Sequence, residues 1–211
     1  MRRALVVVGG GEHARVVAET ALAAGFEVLG FVAPEPAEGM THDLGIPWLG
    51  RDDALEESRE ALAVLGVGAV RIEDKRQGLV ERLEPAAGWA TVVHPRAWVS
   101  PGAVLGAGTV VMARAMVQTR ARIGAHCVIN TGAIIEHDVD AGDFSIFGPG
   151  AVVGGGARVC TGALVGLGAN VRDHRVVGAK ALVGMGSIVV RDVEPGECVV
   201  GVPARVMERR E

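Results

Sequence analysis

The 211-residue sequence has few aromatic residues: three tryptophans, four phenylalanines and no tyrosine. An excess of basic residues is also missing, since the 21 lysines and arginines are outnumbered by 25 aspartates and glutamates. This balance argues against a nucleic-acid-binding protein, which would carry a clustered basic surface. The three cysteines, Cys127, Cys160 and Cys198, are odd in number and lack metal-ligand spacing. We therefore expect neither a disulfide framework nor a metal site.

Long hydrophobic runs are missing as well. The first apolar run, at residues 4–8, is shorter than the core of a signal peptide and ends in glycines rather than in a cleavage site. No later run is long enough to cross a membrane. These absences predict a cytoplasmic protein without a membrane span.

Glycine is abundant, with 31 residues, which indicates many tight turns. In the first 85 residues, short apolar runs alternate with amphipathic segments. The apolar runs predict strands at residues 4–8, 26–32 and 61–68. The amphipathic segments predict one helix after the glycines at 9–11 and another over residues 71–86. This alternation predicts a small parallel α/β, Rossmann-like domain over residues 1–85.

From Val93 onward an apolar residue recurs at every sixth position without an insertion. The seventeen positions are Val93, Val99, Leu105, Val111, Val117, Ile123, Ile129, Ile135, Ala141, Phe147, Val153, Val159, Val165, Val171, Val177, Val183 and Val189. A helix would show a period of 3.6 and a flat sheet a period of 2. A period of six predicts a parallel β-helix of hexapeptide repeats over residues 86–194, with three repeats in each triangular coil. Residues 195–211 are predicted to form a C-terminal tail.

The residue before each of these positions points outward, and every third repeat lies on the same face. One predicted face carries Trp98, Met116, Ile134, Val152, Asn170 and Ile188, and a second carries Val110, Val128, Ile146, Leu164 and Leu182. The third is mostly charged and carries Val104, Arg122, Asp140, Arg158, Val176 and Glu194. Two largely apolar faces would be unfavourable on a monomer, so we expect a closed homotrimer that buries them.

Five segments, in this order and joined to the repeats, resemble one family. They are "VVVGGGEHARVV" (6–17), "GIPWLG" (45–50), "VVHPRAWVSPGAVLGAGTVV" (92–111), "NTGAIIEHDVDAGDF" (130–144) and "VVGVPARV" (199–206). The chain resembles the sugar O-acyl/N-acetyltransferases, typified by sialic-acid O-acetyltransferases and by the UDP-4-amino-sugar N-acetyltransferases of bacillosamine synthesis. The resemblance covers essentially the whole chain. It implies a left-handed β-helix, and acetyl transfer from acetyl-CoA to the amino group of a nucleotide-linked amino sugar.

His137 lies between two acids, Glu136 and Asp138, inside an otherwise apolar run. An imidazole titrates near neutral pH and suits general-base catalysis, and a neighbouring carboxylate can fix its tautomer. The alternative for His137 is a solvated turn residue, which is our interpretation of His126 and His174. The resemblance implies that His137 is the catalytic base and that Asp138 orients its ring. It also implies that Asn130 lies near the acceptor, although Asn130 is equally consistent with a residue of a coil turn. Glu136 is a further candidate for substrate binding.

The loop at residues 9–14 follows a predicted strand and precedes a predicted helix, which is a favourable context for phosphate. The resemblance implies that Gly9, Gly11, Glu12 and His13 hold the pyrophosphate of the nucleotide sugar. A dinucleotide such as NAD would need an acid at the end of the second strand, where residues 33–35 read Ala-Pro-Glu. The same stretch lacks the acidic pair with which the family commonly binds the nucleoside.

For CoA, the resemblance points to the later coils and to the C-terminal segment. Gly166, Gly168 and Ala169 would leave room for pantetheine, and Arg205 could meet a phosphate. Many family members carry a second histidine nine residues after the base, where it contacts the acetyl carbonyl or CoA. Ile146 occupies that position here.

Alternative functions remain open from the sequence. One is a sugar O-acetyltransferase on the same scaffold, and another is a nucleotide-sugar-binding trimer that has lost its catalytic activity. A γ-type carbonic anhydrase shares the β-helix but needs a closely spaced histidine pair with a third histidine upstream. The positions of His94, His126, His137 and His174 do not give that spacing.

Overall fold

The computed structural model describes residues 3–68, 75–83 and 88–207. The chain divides into two compact units, Met1–Pro95 and Arg96–Glu211. The domain boundary predicted after residue 85 lies outside the described residues, and so do both ends of the helix predicted over 71–86. Within the described part of the chain, no helix is both long and apolar enough to cross a membrane.

The first unit contains a parallel four-stranded sheet with the order β3-β2-β1-β4. Its elements are β1 (Ala4–Val8), α1 (Glu12–Ala23), β2 (Glu27–Val32), α2 (Glu38–Thr41), β3 (Trp48–Gly50), α3 (Ala54–Glu57), β4 (Leu62–Leu65), α4 (Lys75–Leu83) and β5 (Val92–Val93). The central strand β1 is apolar throughout because it has a neighbour on both sides and is almost completely buried. Strand β3 was not predicted, since three residues are too short to show a period.

The repeat region matches its prediction in detail. Each of the seventeen sixfold positions is the second residue of a two-residue strand. The first of these strands is β5, and the remaining sixteen are β6 (Trp98–Val99), β7 (Val104–Leu105), β8 (Val110–Val111), β9 (Met116–Val117), β10 (Arg122–Ile123), β11 (Val128–Ile129), β12 (Ile134–Ile135), β13 (Asp140–Ala141), β14 (Ile146–Phe147), β15 (Val152–Val153), β16 (Arg158–Val159), β17 (Leu164–Val165), β18 (Asn170–Val171), β19 (Val176–Val177), β20 (Leu182–Val183) and β21 (Ile188–Val189). The second unit is a left-handed parallel β-helix.

Three parallel sheets form the sides of this triangular β-helix. Sheet 1 contains β7, β10, β13, β16 and β19, and sheet 3 contains β6, β9, β12, β15, β18 and β21. Sheet 2 contains β8, β11, β14, β17 and β20, followed by β22 (Cys198–Val200) and the antiparallel β23 (Arg205–Val206). Neighbouring strands of a sheet are one coil apart, as when Ile134 pairs with Met116 on one side and with Val152 on the other. Residues 18 apart therefore lie above one another.

The interior of the β-helix is filled by the sixfold positions and by the small residues four places after them. Ile135 and Phe147 are fully buried, as are Ala133 and Ala151. Ala141 shares a coil with Ile135 and Phe147, so its small side chain offsets the largest residue of the series. Because the interior is close-packed, volumes must balance within each coil.

The turns between strands explain the glycines. Where glycine directly follows a sixfold position, the next coil passes too close for a side chain: a Cβ at Gly142 would lie 2.6 Å from the backbone nitrogen of Thr161. At the third residue after a sixfold position, the backbone of most turns is left-handed. Seven residues other than glycine adopt this conformation, namely Arg114, Arg120, His126, Asp138, Phe144, His174 and Lys180. His126 differs from our interpretation, because it is buried and its ring stacks on Phe144 with centroids 5.1 Å apart.

Candidate active site

His137 and Asp138 occupy the turn that joins β12 of sheet 3 to β13 of sheet 1. The Asp138 N–H donates to the carbonyl of Thr119 in the preceding coil (3.1 Å). The carbonyl of His137 accepts from the N–H of Gly156 in the following coil (2.9 Å). The turn is therefore tied to the coils on both sides, which gives these two side chains a defined starting direction.

The two side chains form a hydrogen-bonded dyad. His137 Nδ1 lies 2.8 Å from Asp138 Oδ2. Asp138 is in turn held by Arg120, whose Nε lies 2.7 Å from Oδ1 and whose Nη2 donates to Oδ2 at 2.8 Å. The guanidinium thus contacts both carboxylate oxygens, which is the geometry that Arg provides and Lys cannot.

These contacts decide the protonation of the Asp138 carboxyl. The hydrogen bond from Arg120, followed by that from His137, lowers the pKa of the Asp138 carboxyl to about 2, and the same pairing raises the pKa of Arg120. Asp138 is therefore ionised at neutral pH and can only accept hydrogen bonds. Neutral His137 must then carry its proton on Nδ1, which leaves a lone pair on Nε2 for a substrate proton.

Gly155 makes the space that the imidazole occupies. It stands 18 residues after His137 and so lies beside it in the next coil. A Cβ at this position would be 2.7 Å from both Cε1 and Nε2 of His137. The edge of the ring that carries Nε2 therefore lies against a position that has no side chain.

Most of the other candidate residues of the β-helix lie away from the dyad within one chain. Asn130 and Gly166 follow strands of sheet 2, at the corner between sheets 2 and 3, where the Asn130 side-chain oxygen accepts from the N–H of Thr131 (2.8 Å). Gly168 is in the same corner as Gly166, with a left-handed φ of +63°, and Ala169 is buried. Ile146 is half-buried on sheet 2, and Arg205 is exposed on β23. Glu136 is half-buried beside His137.

The glycine loop of the first unit leads from β1 directly into α1. Gly9 has a φ of +119° and donates its N–H to the carbonyl of Val32 (2.8 Å). A Cβ at Gly10 would approach that of Ala37 to 2.9 Å. Gly11 is the N-cap of α1, and no side chain among the described residues caps the helix. The N–H groups of the first turn, which begins at Glu12, are therefore available to an anion.

His13 behaves differently from a phosphate-binding cation. Burial, followed by the charge of Arg76, lowers the pKa of His13 to about 4, so its imidazole is neutral at pH 7. Its ring packs against Gly68, and within the described ranges its buried Nε2 has no hydrogen-bond partner. Arg76 is itself buried and donates from Nε to the carbonyl of Val67 (3.0 Å).

Two residues of the site were missed from the sequence, Arg120 and Gly155. The signal was present, because three hexapeptides make a coil and both residues stand 18 positions from a member of the dyad. No group of three or more His, Cys, Asp or Glu side chains that could hold a metal occurs among the residues that the structure describes.

Residues 4–83 match the family model described as the PglD N-terminal domain. Comparison with curated protein sequences gives no match. Among solved structures, PerB from Caulobacter crescentus, in complex with CoA and GDP-perosamine, is 34% identical over 97% of each chain, with a TM-score of 0.89. The chain belongs to the hexapeptide-repeat sugar acyltransferases. The predicted family is thereby confirmed, and the protein is a CoA-dependent acyltransferase.

Two further structures support this family. The acetyltransferase domain of PglB from Neisseria gonorrhoeae, in complex with acetyl coenzyme A, is 31% identical over 98% of this chain and 100% of that one, with a TM-score of 0.89. A GDP-perosamine N-acetyltransferase from Caulobacter crescentus, with one histidine replaced by alanine, is 33% identical over 98% of this chain and 97% of that one, with a TM-score of 0.90. The latter structure contains CoA and GDP-perosamine.

Replacing Gly155 by alanine should impair the acyltransferase without unfolding it. The new Cβ would displace the His137 ring, which is the end of a 58% exposed side chain. The substitution should therefore change the position of the ring and not the stability of the fold. The backbone tolerates the change, because Ala107, Ala125 and Ala179 occupy the equivalent turn position. We expect a melting temperature close to that of the wild type and a fall in kcat of roughly 10-fold or more. A wild-type kcat would contradict the placement of the ring.

The Asp138 carboxylate should make stability depend on pH at the acid end. Its pKa is about 2 in the folded chain and 3.8 ordinarily, so its contribution to stability is complete above about pH 4 and is lost as the pH falls towards 2. Urea unfolding between pH 2 and 6 should therefore show a shallower decline for Asp138→Asn than for the wild type. Asp173→Asn, two coils away, is the matched control. Parallel curves for Asp138→Asn and wild type would contradict the ion pair.

Proposed function

We propose that the protein transfers the acetyl group of acetyl-CoA to the amino group of a nucleotide-linked amino sugar, with His137 as the general base. The observation that carries this proposal is the 2.8 Å contact between His137 Nδ1 and the carboxylate of Asp138, which leaves Nε2 free to accept a proton. The solved relatives that bind CoA and GDP-perosamine support the two substrates, and the histidine variant among them supports a histidine of functional importance.

Each step assigns the proton to a stated atom. The sugar amine attacks the thioester carbonyl carbon, and His137 Nε2 takes the proton from the amine as the carbon–nitrogen bond forms. Asp138 stabilises the resulting imidazolium through Nδ1. Collapse of the tetrahedral intermediate breaks the carbon–sulfur bond, and the imidazolium returns its proton to the CoA thiolate. The oxyanion needs a hydrogen-bond donor, for which we propose a backbone N–H of the glycine-rich turns.

Ile146 bears on how the thioester is held. Its side chain lies between Val128 and Leu164 in the register of sheet 2, so this part of the sheet offers no side-chain donor. We therefore assign the contact with the acetyl carbonyl to backbone groups. The acceptor is assigned to the first unit, where Gly9, Gly11, Glu12 and His13 lie at the start of α1 and the uncapped helix suits a pyrophosphate.

The proposed CoA residues require a second copy of the chain. His137 lies at the corner between sheets 3 and 1, which is the corner opposite sheet 2. Ile146 lies on sheet 2, and Gly166 and Gly168 lie at the corner between sheets 2 and 3, so within one β-helix they lie away from the dyad. Val110 and Val128 on the early strands of sheet 2 are already buried within one chain, unlike the half-buried Ile146, Leu164 and Leu182. A closed homotrimer, which would also cover the later strands of sheet 2 and the apolar residues of sheet 3, would place sheet 2 of one protomer beside the dyad of its neighbour.

Sedimentation equilibrium tests this assembly. We expect three times the chain mass of 21.8 kDa for the wild type. Val152→Glu on sheet 3 should reduce the mass to that of one chain and abolish turnover, because a buried charge would be left unpaired in the interface. Val176→Glu on sheet 1, which we expect to face solvent, should leave the trimer intact. A wild-type mass of one chain would refute the shared site.

Release of CoA thiol from acetyl-CoA tests the reaction itself. GDP-, UDP- and dTDP-linked 4-amino sugars are the acceptors, with the GDP sugar first because of the 34% identical relative. We expect His137→Ala to lower kcat by about 10²- to 10⁴-fold, since that is the usual contribution of a general base. His174→Ala, which removes an exposed histidine two coils further along the same corner, should retain wild-type turnover.

The same assay separates the alternatives. Thiol release that persists in His137→Ala would refute the base. Release with hydroxyl acceptors only would indicate O-acetylation. Calorimetric binding of a nucleotide sugar with no release from any acceptor would indicate a binding trimer that has lost its catalytic activity.

A further inference from the structure

The contact between Arg120 and Asp138 is created by the stacking of coils. Strand β9 precedes Arg120 and pairs in register with β12, which precedes His137 and Asp138. Arg120 and Asp138 therefore occupy equivalent turn positions in successive coils, with φ values of +60° and +59°. Both are in the left-handed region that favours glycine, so the turn holds two charged side chains at a conformational cost.

Arg120 and Asp138 are joined by a two-point contact, which we call the fork, and this fork determines the direction of the carboxylate. Arg120 contacts Oδ1 through Nε and Oδ2 through Nη2, so the planar guanidinium fixes the plane of the carboxylate. Asp138 Oδ2 is also the atom that accepts from His137 Nδ1. Any rotation of the carboxylate that broke the fork would move the acceptor of the imidazole.

The imidazole has little else to orient it. The His137 side chain is 58% exposed, and its hydrogen bond to Asp138 is the polar contact that defines the ring direction among the described residues. Gly155 on the next coil leaves space rather than support. The orientation of Nε2 therefore depends on the carboxylate, and the carboxylate depends on Arg120.

We propose that Arg120 is a positioning residue for the acyl transfer: it holds Asp138 in the orientation that keeps the proton of His137 on Nδ1 and directs Nε2 past Gly155. This inference rests on the proposed function, in which His137 is the base. Arg120 acts through Asp138 and does not contact the reacting atoms. Its positive charge opposes the imidazolium that forms during transfer, so its benefit lies in geometry rather than in charge stabilisation.

Arg120→Gln is the test variant, and Arg114→Gln is its matched control. Arg114 is an exposed arginine at the same turn position in the preceding hexapeptide, with a φ of +62°, and Gly132 stands where its carboxylate partner would be in the next coil. Both variants remove one charge from the same left-handed conformation. Since the Arg120 side chain is 73% exposed, solvent screens its ion pair with Asp138, and we expect Arg120→Gln to stay folded with only a small fall in melting temperature. Arg114→Gln should keep the wild-type melting temperature.

For Arg120→Gln we expect kcat to fall roughly 10-fold, which is at the low end of the effect of losing a residue that orients a functional histidine. The KM values for acetyl-CoA and for the acceptor should not change. Arg120→Lys should recover part of the rate, because an ammonium can reach one carboxylate oxygen but cannot form the fork. Arg114→Gln should match the wild type. If Arg120→Gln also matched the wild type, or if it changed KM alone, the inference would be wrong.

Nitrogen-15 NMR of the unliganded protein provides a readout that does not require turnover. At a pH where His137 is neutral, the wild type should show a protonated Nδ1 and an unprotonated Nε2. Arg120→Gln should show a mixture of the two tautomers, and Arg114→Gln should keep the wild-type pattern. An unchanged tautomer in Arg120→Gln would overturn the inference.

Failure of this inference is distinguishable from failure of the proposed function. Full activity in His137→Ala would refute the base and, with it, the role given to Arg120. An inactive His137→Ala together with wild-type kinetics for Arg120→Gln would leave the proposed reaction standing and reject Arg120 alone.

Discussion

The active site depends on the backbone hydrogen bonds that stack each coil of the β-helix on the next. Met116 donates to Ala133 and Ile134 donates to Ala151, each at 2.8 Å, and the pattern continues along the sheets. Because this ladder keeps a register of 18 residues, it brings together side chains that are far apart in sequence. It places Arg120 beside Asp138 and Gly155 beside His137. A rigid scaffold of this kind can position a side chain of the candidate site even where that side chain is exposed.

The dyad shows how an exposed histidine can still be preorganised. Bonds to the preceding coil hold the carboxylate, the carboxylate selects the tautomer, and the missing side chain at Gly155 leaves the reactive nitrogen accessible. The first two contributions are polar and the third is steric, and none of them requires burial of a charge. The remaining requirements of acyl transfer, a site for CoA and one for the acceptor, would be met by other elements: sheet 2 of a neighbouring protomer and the uncapped start of α1.

Much of the fold was predictable because the repeat is strict. A period of six with an apolar residue at each position fits neither an α-helix nor a flat sheet, and all seventeen positions are strand residues in the structure. Strand β3 was missed because three residues carry no period, and the boundary predicted after residue 85 is not tested by the described residues. In the site, the contact of His137 with Asp138 followed from their adjacency. Arg120 and Gly155 were missed because their role arises from stacking between coils, which a reading along the chain does not show.

The crystal structure of the complex with CoA and a GDP-linked 4-amino sugar tests the central claim most directly. The account predicts that the acceptor nitrogen lies within about 2.6–3.2 Å of His137 Nε2, on the side left open by Gly155. It also predicts that CoA lies against sheet 2 of a neighbouring protomer. An acceptor amine bound beyond reach of His137, beside a different proton acceptor, would contradict the account.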